Sequence, residues 1–193
     1  MEGTILFVNA CVRKASRTQR LAEKLLEKLG GPVEEIRLDG IAFPAVDEGF
    51  LEERDRLISG GDFGAPVFDL ARRFSKAETV VIAAPYWDLS FPAALKQFFE
   101  QINVVGITFR YTDDGVPVGL CRAKRLFYVT TAGGEFFPEG YGFGYVEALA
   151  RNFYGIPEVE LIAAKGLDIE GAPVERLLRD CEADIIRRFG ALR

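Results

Sequence analysis

The sequence predicts an open, doubly wound α/β fold: a parallel sheet of five strands with helices on both faces, arranged as three layers. Two observations predict it. Short apolar runs alternate with segments of helical period along nearly all of the 193 residues. The central run, Thr79 to Ala84, reads Thr-Val-Val-Ile-Ala-Ala without polar alternation, as a strand covered on both faces should. A hydrophobic fraction of 49% is enough to fill both layers of core, and the length suits one domain over residues 1–193.

The first strand is expected over Thr4 to Val8, followed by a helix from Ser16 to Leu29. Leu21, Ala22, Leu25, Leu26 and Leu29 recur at helical spacing, and Gly30-Gly31-Pro32 stops the helix. Val33 to Leu38 forms a second strand whose charged residues suit the border of the sheet. Asp39 to Gly64 is longer than an ordinary connection and is the one candidate insertion, of a kind that is usually functional or mobile. Its charged series from Glu48 to Arg56 reads as a solvated helical turn.

A second helix is expected over Pro66 to Ala77, leading into the Thr79 to Ala84 strand, and a third over Phe91 to Val104. Ile107 to Thr112 alternates and then meets Asp113-Asp114-Gly115, the pattern of an extended arm with a tight turn. Arg125 to Thr131 is the fourth main strand, Gly144 to Phe153 the fourth helix and Val159 to Ala164 the fifth strand. The last helix, Pro173 to Leu192, carries Val174, Leu177, Leu178, Cys181, Ile185 and Phe189 on one stripe. Five strands thus alternate with five helices, and right-handed crossovers place those helices on both faces. The economical strand order is 2-1-3-4-5, that of a flavodoxin-like sandwich, which opens a crevice beside the first and third strands.

Composition narrows the chemistry. A formal net charge of -5 supplies no broad basic field for nucleic acid. No apolar segment reaches bilayer length and no signal-type leader precedes the first strand, so a cytoplasmic location is expected. Cys11, Cys121 and Cys181 are odd in number and far apart, against a disulfide framework or a zinc cluster, and no metal is expected. The chain has no histidine, which removes mechanisms built on imidazole and leaves chemistry carried by a bound cofactor.

Three loops at the carboxyl ends of strands carry the candidate site. Asn9 to Thr18 places Ser16, Thr18, Arg13, Lys14 and Arg17 before a helix start, where unpaired amides and the positive dipole end suit a phosphate. Ordinary capping by Ser16 with solvated cations accounts for the same residues. The loop has neither G-x-G-x-x-G nor the G-K-[ST] ending of a P-loop, against a dinucleotide or nucleotide-triphosphate site. Pro85-Tyr86-Trp87-Asp88-Leu89-Ser90-Phe91-Pro92 is a rigid aromatic loop after the third strand, fit for a flat heterocycle or for packing on a neighbour. Thr131-Ala132-Gly133-Gly134 lets backbone approach a ring edge, or forms a simple turn. Phe136, Phe137, Tyr141, Phe143 and Tyr145, threaded with glycines, read as a lid, a dimer surface or a packed loop.

Together with Gly106-Ile107-Thr108-Phe109-Arg110-Tyr111-Thr112 and Gly115, these stretches resemble the flavodoxin-like NAD(P)H-dependent oxidoreductases, in particular the FMN-dependent azoreductase and NAD(P)H quinone reductase group. The resemblance covers nearly the whole chain, and the Gly-Ile-Thr-Phe-Arg-Tyr-Thr stretch is its most specific part. It implies non-covalent FMN, with Ser16, Arg17 and Thr18 on the phosphate, Pro85, Tyr86, Trp87, Asp88 and Leu89 lining the isoalloxazine, and Thr131, Ala132, Gly133 and Gly134 at the pyrimidine edge. It also implies NADH or NADPH as reductant, a quinone, azo or nitro compound as small-molecule acceptor, and a homodimer. A flavin carrier or a regulatory dimer on the same fold is the alternative. No catalytic side chain is assigned.

Two departures stand out. Asp88 replaces the usual Asn, and Thr131-Ala132-Gly133-Gly134 replaces the usual Ser-Arg-Gly-Gly. An ionised Asp88 facing the flavin would disfavour its anionic reduced form; the preferred reading is that Asp88 caps the following helix.

Overall fold

The computed structural model describes residues 3–190. Five parallel strands form the main sheet: β1 (Ile5–Asn9), β2 (Val33–Arg37), β3 (Thr79–Ala83), β6 (Arg125–Thr131) and β7 (Glu158–Ala164). Their order is β2-β1-β3-β6-β7. Between β3 and β6 lie the two short strands β4 (Phe109–Tyr111) and β5 (Pro117–Gly119), which pair antiparallel as a separate hairpin. With that hairpin set aside, the order is the expected 2-1-3-4-5. β2 lies at one border, and its exposed charged residues need no second neighbour.

Side-chain alternation divides the core between two layers. Leu6, Val8, Val80, Ile82, Leu126 and Tyr128 face one apolar cluster, and Ile5, Phe7, Val81, Ala83, Phe127 and Val129 face the other. The second cluster is closed by α1 (Arg17–Leu29) and α6 (Val174–Phe189), through Leu21, Leu25, Leu178, Ile185 and Phe189. Arg20 of α1 binds Glu182 and Glu175 of α6 at 2.7 and 2.9 Å, fixing the two helices together at their exposed margin. The expected end of the last helix, at Leu192, lies outside the described residues.

The first cluster is closed by α3 (Asp69–Lys76), α4 (Ala93–Ile102) and α5 (Phe143–Leu149), which runs on into a π-helical turn over Ala150–Tyr154. Phe74 is its centre: the rings of Tyr154 and Phe98 meet it edge-on at 4.8 and 6.2 Å. Such contacts add about 0.5–1.5 kcal/mol each beyond their buried area.

The helical turn read over Glu48 to Arg56 within Asp39 to Gly64 is a full sixth helix, α2 (Glu48–Ser59). Asp47 caps it by accepting from the Phe50 amide at 2.9 Å, and Leu57 is buried in the core. Arg54 then ties α2 to the end of α4, donating to the Glu100 carbonyl at 3.0 Å and to that of Asn103. Five strands therefore alternate with more helices than the sequence reading counted, since a mostly charged helix showing one buried side chain has little apolar period to read.

The hairpin is pinned by contact between two glycines. A Cβ on Gly119 would lie 2.2 Å from the Gly155 nitrogen and from the Tyr154 carbonyl carbon, so β5 reaches the π-helical turn only without a side chain there. The expected extended arm and tight turn at Ile107 to Gly115 is this hairpin. Thr108, buried between arm and α4, accepts from the Val104 amide at 3.1 Å and donates to the Ile102 carbonyl at 2.7 Å.

Candidate functional site

The carboxyl ends of β1, β3, β6 and β7 surround one cleft of about 240 Å³. Ser16, Arg17, Thr18, Pro85, Tyr86, Trp87, Thr131, Ala132 and Gly133 line it, so the three loops singled out in the sequence do converge. Asp88, Leu89 and Gly134 lie outside its wall. Val12, Arg13, Ala15, Leu167 and Asp168 complete the wall. The last two follow β7, a strand whose end borders the cleft because β7 pairs with β6.

At the start of α1, Ser16 is the N-cap, its hydroxyl accepting from the Gln19 amide at 3.2 Å. The capping reading of Ser16 is thus realised. The amides of Arg17 and Thr18 have no acceptor among the described residues, and the first turn contains no acid to complement the positive end of the helix. Arg13 and Arg17 add formal positive charge to that wall. Thr18 is buried and shares a 2.6 Å hydrogen bond with the Thr131 hydroxyl. One of those two protons is used in the pair and the other remains for a ligand. This bond joins the first loop to the end of β6.

The aromatic loop is held by its own turn. The Trp87 amide donates to the Ser90 carbonyl at 3.1 Å and the Ser90 amide to the Trp87 carbonyl at 2.8 Å. Between them Asp88 and Leu89 both take left-handed backbone, with φ of 50° and 68°. That is the two-residue turn which normally selects glycine or asparagine. Asp88 caps no helix: α4 begins behind Pro92 without any side-chain cap. The helix-cap reading of Asp88 is therefore corrected: Asp88 belongs to the tight turn between Trp87 and Ser90, and the N-cap of α4 is Pro92.

The segment after Gly134 packs on this loop. The Phe137 and Tyr86 rings lie 4.4 Å apart, and Lys165 sits 4.4 Å from the opposite partner, Phe137, as a cation over its ring. Ser90 donates to the Tyr141 carbonyl at 2.9 Å. Burial, then the neighbouring Tyr141, raise the Tyr86 phenol above its usual pKa, so it is a neutral hydroxyl at pH 7. The aromatic run thus divides: Phe137, Phe143 and Tyr145 pack inward, while Phe136 and Tyr141 stay exposed at 78% and 65%. Cys11 is buried below the first loop, and that burial pushes its thiol up to about 11. It is no nucleophile at neutral pH.

A cleft at the carboxyl ends of parallel strands, with a helix start on one wall and aromatic rings on another, has the layout of a doubly wound cofactor fold. A family model described as the flavodoxin-like fold matches residues 3–189. The chain belongs to this flavodoxin-like family. Within the family, an FMN-dependent NADH:quinone oxidoreductase of Clostridium perfringens is 31% identical over 185 residues, covering 91% of this chain and 92% of the relative. A protein of the same description from Coprothermobacter proteolyticus is 40% identical over 120 residues, covering 60% of this chain and 59% of the relative. The crystal structure of an FMN-dependent NADH-azoreductase from Bacillus anthracis in complex with FMN superposes with a TM-score of 0.77 at 22% identity, covering 97% of this chain and 99% of that one. Among the described residues no helix is long and apolar enough to cross a membrane.

Proposed function

We propose that the protein is an FMN-dependent NAD(P)H oxidoreductase of the quinone reductase and azoreductase type. The observation that carries this reading is the meeting of the three loops in one cleft whose donors suit a phosphorylated aromatic cofactor. The free amides of Arg17 and Thr18, the spare proton of the Thr18 and Thr131 pair, and the cations Arg13 and Arg17 are an anion-binding set. Pro85, Tyr86 and Trp87 offer the apolar wall that a flat ring needs, and Thr131, Ala132 and Gly133 the polar edge. FMN fits that donor set.

The chemistry supplied by bound FMN is two-electron transfer, hydride in from NADH or NADPH and an electron pair out to a quinone, azo or nitro acceptor. The chain's own part is binding and orientation. Ser16, Arg17 and Thr18 would hold the phosphate, Pro85, Tyr86 and Trp87 the ring face, and Thr131, Ala132 and Gly133 the pyrimidine edge. The chain has no histidine to serve as a general acid or base, so the part assigned to the lining residues is to orient the partners. The relatives are named for NADH, which supports NADH as the reductant.

We also assign a homodimer and a cytoplasmic location. Exposed Trp87, Leu89, Phe136 and Tyr141 around the cleft mouth support the dimer. The three free cysteines suit a reducing compartment. Purified protein is expected to be yellow, and stopped-flow mixing with NADH to bleach the flavin band rapidly. Colourless protein that takes up no added FMN overturns the reading; yellow protein that neither NADH nor NADPH reduces makes it a flavin carrier instead. Sedimentation at a single chain's mass removes the dimer.

A further inference from the structure

Among the described residues Asp168 is the one acid in the cleft wall, beside a helix start that otherwise favours anions. Its backbone is fixed. The Asp168 amide donates to the Gly133 carbonyl at 2.9 Å, Leu167 to Ala132 at 3.2 Å and Gly166 to Gly134 at 3.1 Å, so the turn after β7 is laced to the loop after β6. The carboxylate lies over Gly133 so closely that a Cβ there would be 2.5 Å from its Oδ2.

From this anchored position Asp168 accepts from Arg17 Nη1 at 2.7 Å, and the Leu167 carbonyl accepts from the same nitrogen at 3.1 Å. Both acceptors use one nitrogen of the guanidinium. Nη2 and Nε make no hydrogen bond among the described residues, which leaves donors of a planar fork for an incoming oxyanion. The two side chains are 41% and 72% exposed, and ion pairs so open to water add little to folding stability. What the pair does change is the freedom of a long side chain. An arginine at the first position of a helix, held at one end of its fork, loses its rotamer entropy before a ligand arrives rather than on binding.

We propose that Asp168 is a positioning residue that aims Arg17 into the cleft and so sets the preference for a phosphorylated flavin over riboflavin. This rests on the FMN reading above. The phosphate is the only part of FMN that riboflavin lacks, so the effect of Asp168 must be confined to it, and the ratio of the two affinities isolates the effect from any general loosening of the site.

The test is fluorescence titration of flavin-stripped protein with FMN and with riboflavin, for the unaltered chain, Asp168→Ala and Asp168→Asn. Asp168→Ala is expected to weaken FMN about fivefold while riboflavin moves by less than about twofold. Asp168→Asn keeps an oxygen acceptor for Nη1 and is expected to restore the preference to within about twofold of the unaltered chain. Thermal unfolding of both variants should match that of the unaltered protein. An FMN-to-riboflavin ratio unchanged or increased in Asp168→Ala overturns the inference, as does Asp168→Asn losing as much as Asp168→Ala. Should the unaltered chain bind neither flavin, the FMN reading itself falls and this inference with it.

Discussion

Leu89 offers a direct test of whether the aromatic loop is held in strained backbone. It follows Asp88 in left-handed conformation, at φ of 68°, inside the turn closed by Trp87 and Ser90. For a residue with a Cβ this backbone costs about 1–2 kcal/mol. Leu89 is 44% exposed, so cutting the side chain also removes some apolar contact, and the comparison that isolates the backbone is Leu89→Ala against Leu89→Gly. At an ordinary position, glycine is less stable than alanine by about 0.5–1 kcal/mol because the unfolded chain gains freedom. Here relief of the left-handed cost outweighs that loss, and Leu89→Gly should be the more stable of the two by about 0.5–1 kcal/mol. For a chain of this length that is about 1–4 °C in Tm. Urea unfolding, with equal slopes for both variants, measures the difference. Glycine proving less stable than alanine would refute the strain argument and mean that the turn relaxes without cost. The same pair should weaken FMN binding, glycine more than alanine, since Trp87 stands on the cleft wall at the start of this turn.

Two further outcomes follow from the packing. Gly119→Ala should cost at least about 1–3 kcal/mol, the range for overpacking, because its new Cβ would strike backbone of Tyr154 and Gly155 that no rotamer change can move; an unfolding midpoint equal to that of the unaltered chain would show that the hairpin is free to lift. Stability should also fall above pH 9. In the unfolded chain the Cys11 thiol titrates near its ordinary value of 9.0, whereas burial holds it protonated to about 11 in the fold, so between those values the folded state binds more protons than the unfolded one. The stabilisation is complete below pH 9 and declines through pH 11, by up to about 1.4 kcal/mol per pH unit for one thiol. Burial raises Cys121 and Cys181 as well, which adds to the slope. Urea midpoints at pH 8 and pH 10 that coincide would contradict this, and Cys11→Ala should make the decline shallower.

The elements legible in the sequence are those with a strong local period. The leucine face of α1, the uninterrupted run of β3 and the stripe of α6 each bury what their spacing says they bury. The strand order, and with it the cleft, follows from the five repeats only as the economical flavodoxin-like arrangement, while the handedness of crossovers puts helices on both faces. α2 is legible only as a solvated helical turn over Glu48 to Arg56, for the converse reason. It shows Asp47 as a capping signal and little else, and what holds it is Leu57 together with Arg54 reaching the carbonyls of α4, contacts made far along the chain.

Local chemistry therefore determined the sheet, its carboxyl-end loops and the residue types available for a phosphate and a flat ring, because those depend on period, turn residues and helix starts that act over a few positions. Only the tertiary structure decided how the loops use them. Thr18 bonds Thr131, Arg17 meets Asp168, and Asp88 sits in a left-handed turn instead of capping α4. Such pairings join positions more than a hundred residues apart, or depend on a backbone conformation that asparagine or glycine would have signalled and that aspartate and leucine conceal. No local rule reaches that distance, because the pairs exist only once the sheet has brought the ends of its strands together.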